Sequence, residues 1–461
     1  MDYDAVVVGG GPGGYPCAIR LAQYGLRTAL VERATLGGEC LNFGCIPSKS
    51  IIRTALEYEQ TRRLVKEGIL NGEVGSVSWD GVMKRKEAAV HKLTSGVEQL
   101  LKANGVTVIR GTARFSEKGK LEIDGQPTEA RNVVIATGTT FADLPALRFD
   151  HKLILDVRDL LQSNKLPSSL LIVGGGYIGA EMGLALASLG CKVTIVEIME
   201  RILPGLDNDV FRVVQRGLEA AGMVIHAGAT VKNAVQNGSQ VEVEFAGAAS
   251  GKHLFDAVLV SVGKRADTSA LNLSSVGVGV DEKGFIRVDQ RCCTSVPWIF
   301  AVGDVTGPPF LAHRATYMGK VAAGAIAGKA VAMDAVVPSV IFTNPEVASV
   351  GLTEAEATAR GLHVRTAKFP FAASGRAVTM EETDGFVKIV SDEHGTVLGI
   401  QIVGPDASEL LGEACLAVEM GATVEDLALI VHAHPTLPEA LGEAADVAEG
   451  FPLDIAPARR K

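Results

Sequence analysis

No stretch of about 18 uninterrupted apolar residues occurs in this chain, and a membrane-spanning helix needs one, so no span is expected. Basic clusters are missing as well. Lys and Arg number 44 against 53 Asp and Glu, for a formal net charge of −9, and no nucleic-acid footprint is expected. The N-terminus lacks the basic and then apolar profile of a targeting segment. Asp2 and Asp4 instead run straight into Ala5–Val8, so neither a signal nor a transit peptide is expected, and the chain reads as cytoplasmic or as a mature organellar form. Seven cysteines, an odd count without regular spacing, exclude a disulfide framework. In a reducing compartment, a lasting disulfide is usually catalytic or redox-sensing.

What is present is size, glycine and repetition. A chain of 461 residues is too long for one core, and its length suggests about three domains. Residues 4–32 read as strand, glycine turn, helix and strand, with Gly9-x-Gly11-x-x-Gly14 at the turn and Glu32 closing the second strand. These glycines allow a tight turn, close approach of a pyrophosphate and helix–strand packing, while Glu32 is placed to accept ribose hydroxyls. The unit recurs as Gly174-x-Gly176-x-x-Gly179 followed by Glu197. Gly9 to Glu32 and Gly174 to Glu197 span the same 23 positions, at a constant offset of 165. Two such copies predict two dinucleotide-binding domains. A carboxylate at Glu197 favours NAD, because it repels the extra phosphate of NADP.

Between the first copy and the next predicted helix lies Gly37-Gly38-Glu39-Cys40-Leu41-Asn42-Phe43-Gly44-Cys45-Ile46-Pro47-Ser48-Lys49. Pro47 suits a first helical turn. Cys45 is therefore expected beside a helix N-terminus, where dipole and free N–H groups favour a thiolate, with Lys49 adding positive charge. An ideal helix would separate residues five apart by about 7.5 Å. A disulfide tolerates Cα atoms at most ~7 Å apart. If the two cysteines pair, the segment between them must be a distorted, non-helical turn, with Gly44 supplying irregular backbone. Cys17, Cys191 and Cys415 lie in apolar patterns and read as core thiols, and adjacent Cys292 and Cys293 read as unpaired. Met83, Val90, Leu93, Val97 and Leu100 fall at helical spacing within 79–104 and predict a packing helix.

The cysteine segment resembles the redox-disulfide segment of the flavoprotein (pyridine nucleotide) disulfide oxidoreductases, in the form used by the dihydrolipoamide dehydrogenases. The likeness extends along nearly the whole chain. It implies an α/β fold: two Rossmann-like domains, one for FAD and one for NAD, and a C-terminal α+β dimerisation domain. The implied boundaries are 1–141 for the FAD domain, 142–264 for the NAD domain, 265–335 for a central segment completing the FAD domain, and 336–461 for the interface domain. Only the first glycine fingerprint is followed by the cysteines, so the first should hold the flavin.

The resemblance also implies roles. Cys40 and Cys45 would form the redox disulfide, with Cys40 attacked by substrate and Cys45 facing the flavin. His434-Pro435-Thr436 with Glu439 resembles the family's catalytic base segment, reaching the disulfide from the other subunit of a homodimer. Lys49 and Glu181 would be an ion pair beside the flavin's reducible nitrogen, and Asp304, ending Trp298–Gly303, would bind the ribityl chain. Ala113, Thr137, Gly138, Ala312, Val231 and Gly263 would line the two cofactors. Three residues depart from the family pattern: Glu39 where Thr is common, Pro16 in the first glycine helix, and Pro438 where Ser or Thr is common. The implied activity is oxidation of protein-bound dihydrolipoamide with reduction of NAD. The implied partner is the lipoyl domain of a 2-oxoacid dehydrogenase complex or of the glycine cleavage system. An NAD(P)H-dependent reductase of another disulfide, or a non-catalytic flavin-binding subunit, are the alternatives.

Overall fold

The computed structural model describes residues 2–457. The last four residues of the C-terminal tail lie outside the described residues. The chain forms two compact units. The first comprises 1–167, 238–241 and 257–334, and the second comprises 168–237, 242–256 and 335–461. The predicted NAD segment, 142–264, is thus divided between them.

The first unit is built on a five-stranded parallel sheet. Its spatial order is Ile299–Ala301, Ala130–Ile135, Tyr3–Val8, Thr28–Glu32 and Thr107–Arg110. Parallel strands are buried on both faces, and their sequences read as unbroken apolar runs. Ala5, Val6, Val7, Leu30, Val133, Val134 and Ile135 are all fully buried. Helices Gly14–Gln23 and Ala312–Ile326 pack together beside this sheet, and Thr316 Oγ1 donates to the carbonyl of Pro12 at 3.0 Å. A small antiparallel sheet of Ala113–Phe115, Leu121–Ile123 and Gln126–Pro127 adds to the same unit. Strand Lys264–Ala266 pairs antiparallel with Thr139–Phe141.

Helix Trp79–Ala103 matches its predicted limits, and Ser78 caps it by accepting from Gly81 N–H at 3.2 Å. Its buried face agrees with the predicted one only in part, at Met83 and Val97. Leu93 and Leu100 are exposed, whereas Trp79, Val82, Met83, Lys86, Val97 and Leu101 are buried. Lys86 is carried on this apolar face because its ammonium donates to the carbonyl of Leu161 at 3.0 Å. Hydrophobicity alone cannot foresee such a satisfied buried cation.

The second unit begins with the repeated fold: parallel strands Ser169–Val173, Lys192–Glu197 and Val224–Ala227, with helices Tyr177–Ser188 and Asn208–Ala220. It continues into a five-stranded antiparallel sheet ordered Ser339–Ile341, Glu346–Gly351, Val397–Gly404, Phe386–Asp392 and Val364–Pro370. One face carries Val387, Ile389, Ile400 and Ile402 into a core with Leu410, Leu411, Ala414, Leu441 and Ala445 of helices Ala407–Met420 and Glu439–Glu449. Gln401 and Lys388, paired across neighbouring strands, are also buried. The Lys388 ammonium binds Asp207 at 2.9 Å and Glu354 at 2.6 Å. The sequence therefore builds an α/β architecture followed by an α+β domain.

Candidate active site

The first glycine turn and the cysteine segment are joined through backbone. Gly37 N–H donates to the carbonyl of Gly10 at 2.8 Å. A Cβ at Gly38 would sit 2.6 Å from the Cα of Gly11, and Gly38 has φ +58°, so only glycine fits this approach. The cysteine helix thus rests directly on the fingerprint loop.

Gly38–Phe43 is a short helix and Cys45–Lys66 a long one, with the break confined to Gly44. The irregular backbone expected at Gly44 is there, and it is confined to that one residue, with Cys40 inside the preceding short helix. A Cβ at Gly44 would lie 2.9 Å from the carbonyl oxygen of Glu39 and 3.2 Å from the Cα of Cys40. A side chain there would press on the backbone of Glu39 and Cys40. Cys45 is the first residue of the long helix, with Pro47 in its first turn.

Cys40 and Cys45 are free cysteines whose sulfurs meet. The Cys40 thiol hydrogen-bonds to the sulfur of Cys45, and this bond raises the Cys40 pKa, with burial adding to it. The same bond is the main cause that lowers the Cys45 pKa, with Lys49 helping and burial and Glu39 opposing. Of the two sulfurs, Cys45 is the one that ionises more readily. The other cysteines behave as core thiols. Burial pushes Cys191 and Cys292 up to about 12, and Cys17 higher still. Cys415 is half-buried and also raised by burial. Cys292 and Cys293 are unpaired, their thiols directed to the carbonyls of Met318 and Pro297, each at 3.7 Å.

The repeat extends to individual hydrogen bonds. Glu32 accepts from the N–H groups of Gly10 and Ala34, each at 2.7 Å. Glu197 accepts from Gly175 at 2.6 Å and Met199 at 2.7 Å. Gly9 and Gly174 have φ of +107° and +106°. Each acid is thus locked at its strand end, with lone pairs left for ribose hydroxyls. Arg201 is engaged locally, donating to the carbonyls of Pro204 at 3.0 Å and Leu206 at 2.6 Å.

The other predicted cofactor residues in the first unit are Lys49, Ala113, Thr137, Gly138, Gly263, Asp304 and Ala312. Ala113 is buried, Ala312 opens helix Ala312–Ile326, and Gly263 has φ +128° with open space where a side chain would lie. The hydroxyls of Thr137 and Thr139 are buried without a hydrogen-bond partner. Orphaned buried hydroxyls are costly, and a bound ligand or water offering an acceptor relieves them. With the glycine turn at the N-terminus of helix Gly14–Gln23, the residues of this unit other than Gly263 fit FAD. In the second unit, Gly176 caps helix Tyr177–Ser188, Gly179 is buried within it, and Val231 is buried on strand Ala229–Asn237. Glu181 is buried and accepts from Phe342 N–H at 2.9 Å.

His434 and Glu439 also lie in the second unit. The His434 Nδ1 is 2.8 Å from Glu439 Oε1, and Glu439 Oε2 accepts from Thr436 N–H at 2.6 Å. Glu439 opens helix Glu439–Glu449, where the dipole favours an anion. Burial works against its ionisation, but Thr436 and His434 outweigh it and hold the carboxyl below its ordinary range. His432 is committed elsewhere, to Glu413 at 2.9 Å.

Residues 3–319 match the model of the pyridine nucleotide-disulphide oxidoreductases, and 337–445 match that family's dimerisation domain. The chain belongs to this family. A dihydrolipoyl dehydrogenase of Geobacillus stearothermophilus is 44% identical, the match covering 99% of this chain and 98% of that one. One from Haloferax volcanii is 43% identical over 97% and 96%. Among solved structures, LpdA of Mycobacterium tuberculosis superposes with a TM-score of 0.88 at 29% identity, covering 96% and 98% of the two chains.

Sequence reasoning about this oxidoreductase missed Lys264. Its partner Glu39 is 225 positions away, and no local pattern announces such a contact.

Proposed function

We propose that the protein is a dihydrolipoyl dehydrogenase. The observation that carries this reading is the sulfur pair, a Cys40 thiol hydrogen-bonded to the Cys45 sulfur, whose pKa is lowered, at a helix start. In the oxidised enzyme these two form the disulfide. A thiolate of the dihydrolipoyl group attacks Cys40 Sγ, breaks the Cys40–Cys45 bond and releases Cys45 as thiolate. The second substrate thiolate attacks the mixed disulfide, closes the lipoyl disulfide and releases Cys40. His434 accepts the proton of the attacking substrate thiol, and the proton of the second thiol passes to the departing Cys40 sulfur, with Glu439 fixing the His434 ring through Nδ1 and leaving Nε2 as the base. Bound FAD would supply the two-electron link between Cys45 and NAD. Gly9, Gly11, Gly14, Glu32, Lys49, Ala113, Thr137, Gly138, Asp304 and Ala312 would hold it. Gly174, Gly176, Gly179, Glu181, Glu197, Val231 and Gly263 would hold or face NAD. The domain limits follow the same assignment: FAD in 1–141 and 265–335, NAD in 142–264, and the interface in 336–461.

A homodimer with composite sites is part of the proposal. The dimerisation-domain match supports it, as does a His434 side chain that is 78% exposed although its Nδ1 is fixed. The partner would be a lipoyl domain, and the setting a reducing compartment such as the cytoplasm. None of the described helices is long and apolar enough to cross a membrane.

The test is a steady-state comparison of free dihydrolipoamide with NAD against glutathione disulfide and thioredoxin with NADH or NADPH. Dihydrolipoamide with NAD should be the fastest couple, and faster turnover of either other disulfide would overturn the assignment. For the nucleotide, Glu197→Arg should move the NADP-to-NAD rate ratio by about tenfold, a change of about 1.4 kcal/mol. If the natural protein already prefers NADP at equal concentration, the role given to Glu197 is wrong.

A further inference from the structure

We propose that Glu39 and Lys264 are a positioning pair for the redox centre, fixing the cysteine helix and setting the charge that Cys45 experiences. This rests on the reading of Cys40 and Cys45 as the redox couple. Glu39 directly precedes Cys40 in the short helix, and its Oε1 lies 2.5 Å from Lys264 Nζ. The Lys264 side chain is only 7% exposed. Its ammonium also lies 3.5 Å from Asp304 and over the rings of Phe141 at 5.6 Å and Phe310 at 5.8 Å. One cation thus ties together the cysteine helix, the Thr139–Phe141 strand and the Gly303–Thr306 turn.

A buried ammonium needs a counter-charge, and Asp304 alone is at the edge of contact. Glu39 meets that need at a distance Thr could not reach, since its carboxylate stands two carbons further from the backbone than a Thr hydroxyl would. The consequence falls on the neighbouring sulfur. Cys45 is faced by the Cys40 thiol, by Lys49 and by Glu39. Tyr15 faces Cys40. Glu39 in turn is faced by Lys264, Asp304 and Arg158, and Asp304 by Lys264 and Arg314. Among these described groups facing Cys45, Glu39 is the acid; burial raises its own pKa against the pull of Lys264, and its carboxylate opposes thiolate formation. Arg158, stacked 4.0 Å above the ring of Phe43, closes the outer side of the same helix. Glu39 therefore trades some thiolate stability at Cys45 for a neutralised and anchored Lys264.

The test is the pH midpoint of the Cys45 thiolate in the reduced holoenzyme. It is read twice, from the long-wavelength thiolate–flavin absorbance and from the rate of iodoacetamide alkylation at Cys45 located by mass spectrometry. Glu39→Gln keeps the shape and removes the charge. Its midpoint should move to lower pH, so that one unit below the natural midpoint the thiolate fraction rises about three- to fivefold. Glu39→Thr, which needs no buried amide, should move it the same way. Lys264→Met should move the midpoint upward or leave it in place. An unmoved or raised midpoint in both Glu39 variants, or a lowered one in Lys264→Met, would overturn the proposal. Absence of any thiolate–flavin absorbance in the natural protein would instead overturn the redox-couple reading beneath it.

Discussion

His434→Ala should slow dihydrolipoamide oxidation by about 100- to 10,000-fold, the span for a lost general base. Flavin content should not change, because His434 is bonded to Glu439 and to no proposed cofactor residue. Oxidation of NADH by an artificial one-electron acceptor should survive, since that route bypasses the disulfide. The same residue tests the composite site. Mixing His434→Ala chains with Cys40→Ser chains at random exchange makes about half the dimers mixed, each with one intact site, and about a quarter of natural activity should return. If the base served its own chain's disulfide, neither chain could complete a site, and verified mixed dimers would stay inactive.

The second large effect is at the sulfurs. Cys45→Ser should reduce dithiol oxidation to background, on the order of 10,000-fold or more, because the electron pair then has no thiolate through which to reach the flavin. It should also abolish the long-wavelength absorbance. Cys40→Ser should be equally inactive toward dihydrolipoamide, yet keep that absorbance, because Cys45 remains a permanent thiolate near Lys49. The asymmetry follows from which sulfur donates the hydrogen bond and which begins the helix. The opposite pattern would mean the two roles are exchanged.

Much of this was legible in the residues. The two fingerprints, their terminal acids and the position of Cys45 at a helix start depend on local backbone chemistry that a short stretch of sequence carries whole. The constant offset carries through to the structure, where Glu32 and Glu197 accept equivalent bonds from Gly10 and Gly175. What was not legible depends on contacts distant in sequence. The helix Trp79–Ala103 turns a face chosen partly by Lys86, whose partner is the Leu161 carbonyl. Lys388 looks like a solvent residue of an alternating strand, but it is buried against Asp207 and Glu354. The distortion that pairing of the cysteines requires, with Gly44 as its source, was legible, but its narrow extent was not. Helical hydrogen bonding persists on both sides, and Gly44 alone absorbs the change, because the backbone of Glu39 and Cys40 fills the space a side chain would need.

The most direct test is an anaerobic titration of the oxidised holoenzyme with dihydrolipoamide, followed by absorbance. One equivalent should open the Cys40–Cys45 disulfide and raise the long-wavelength thiolate–flavin band without bleaching the flavin, and addition of NAD should then remove the band and release NADH. If one equivalent bleaches the flavin with no such band, or if dihydrolipoamide produces no change at all while NADH still reduces the protein, then Cys40 and Cys45 are not the route from dithiol to nucleotide.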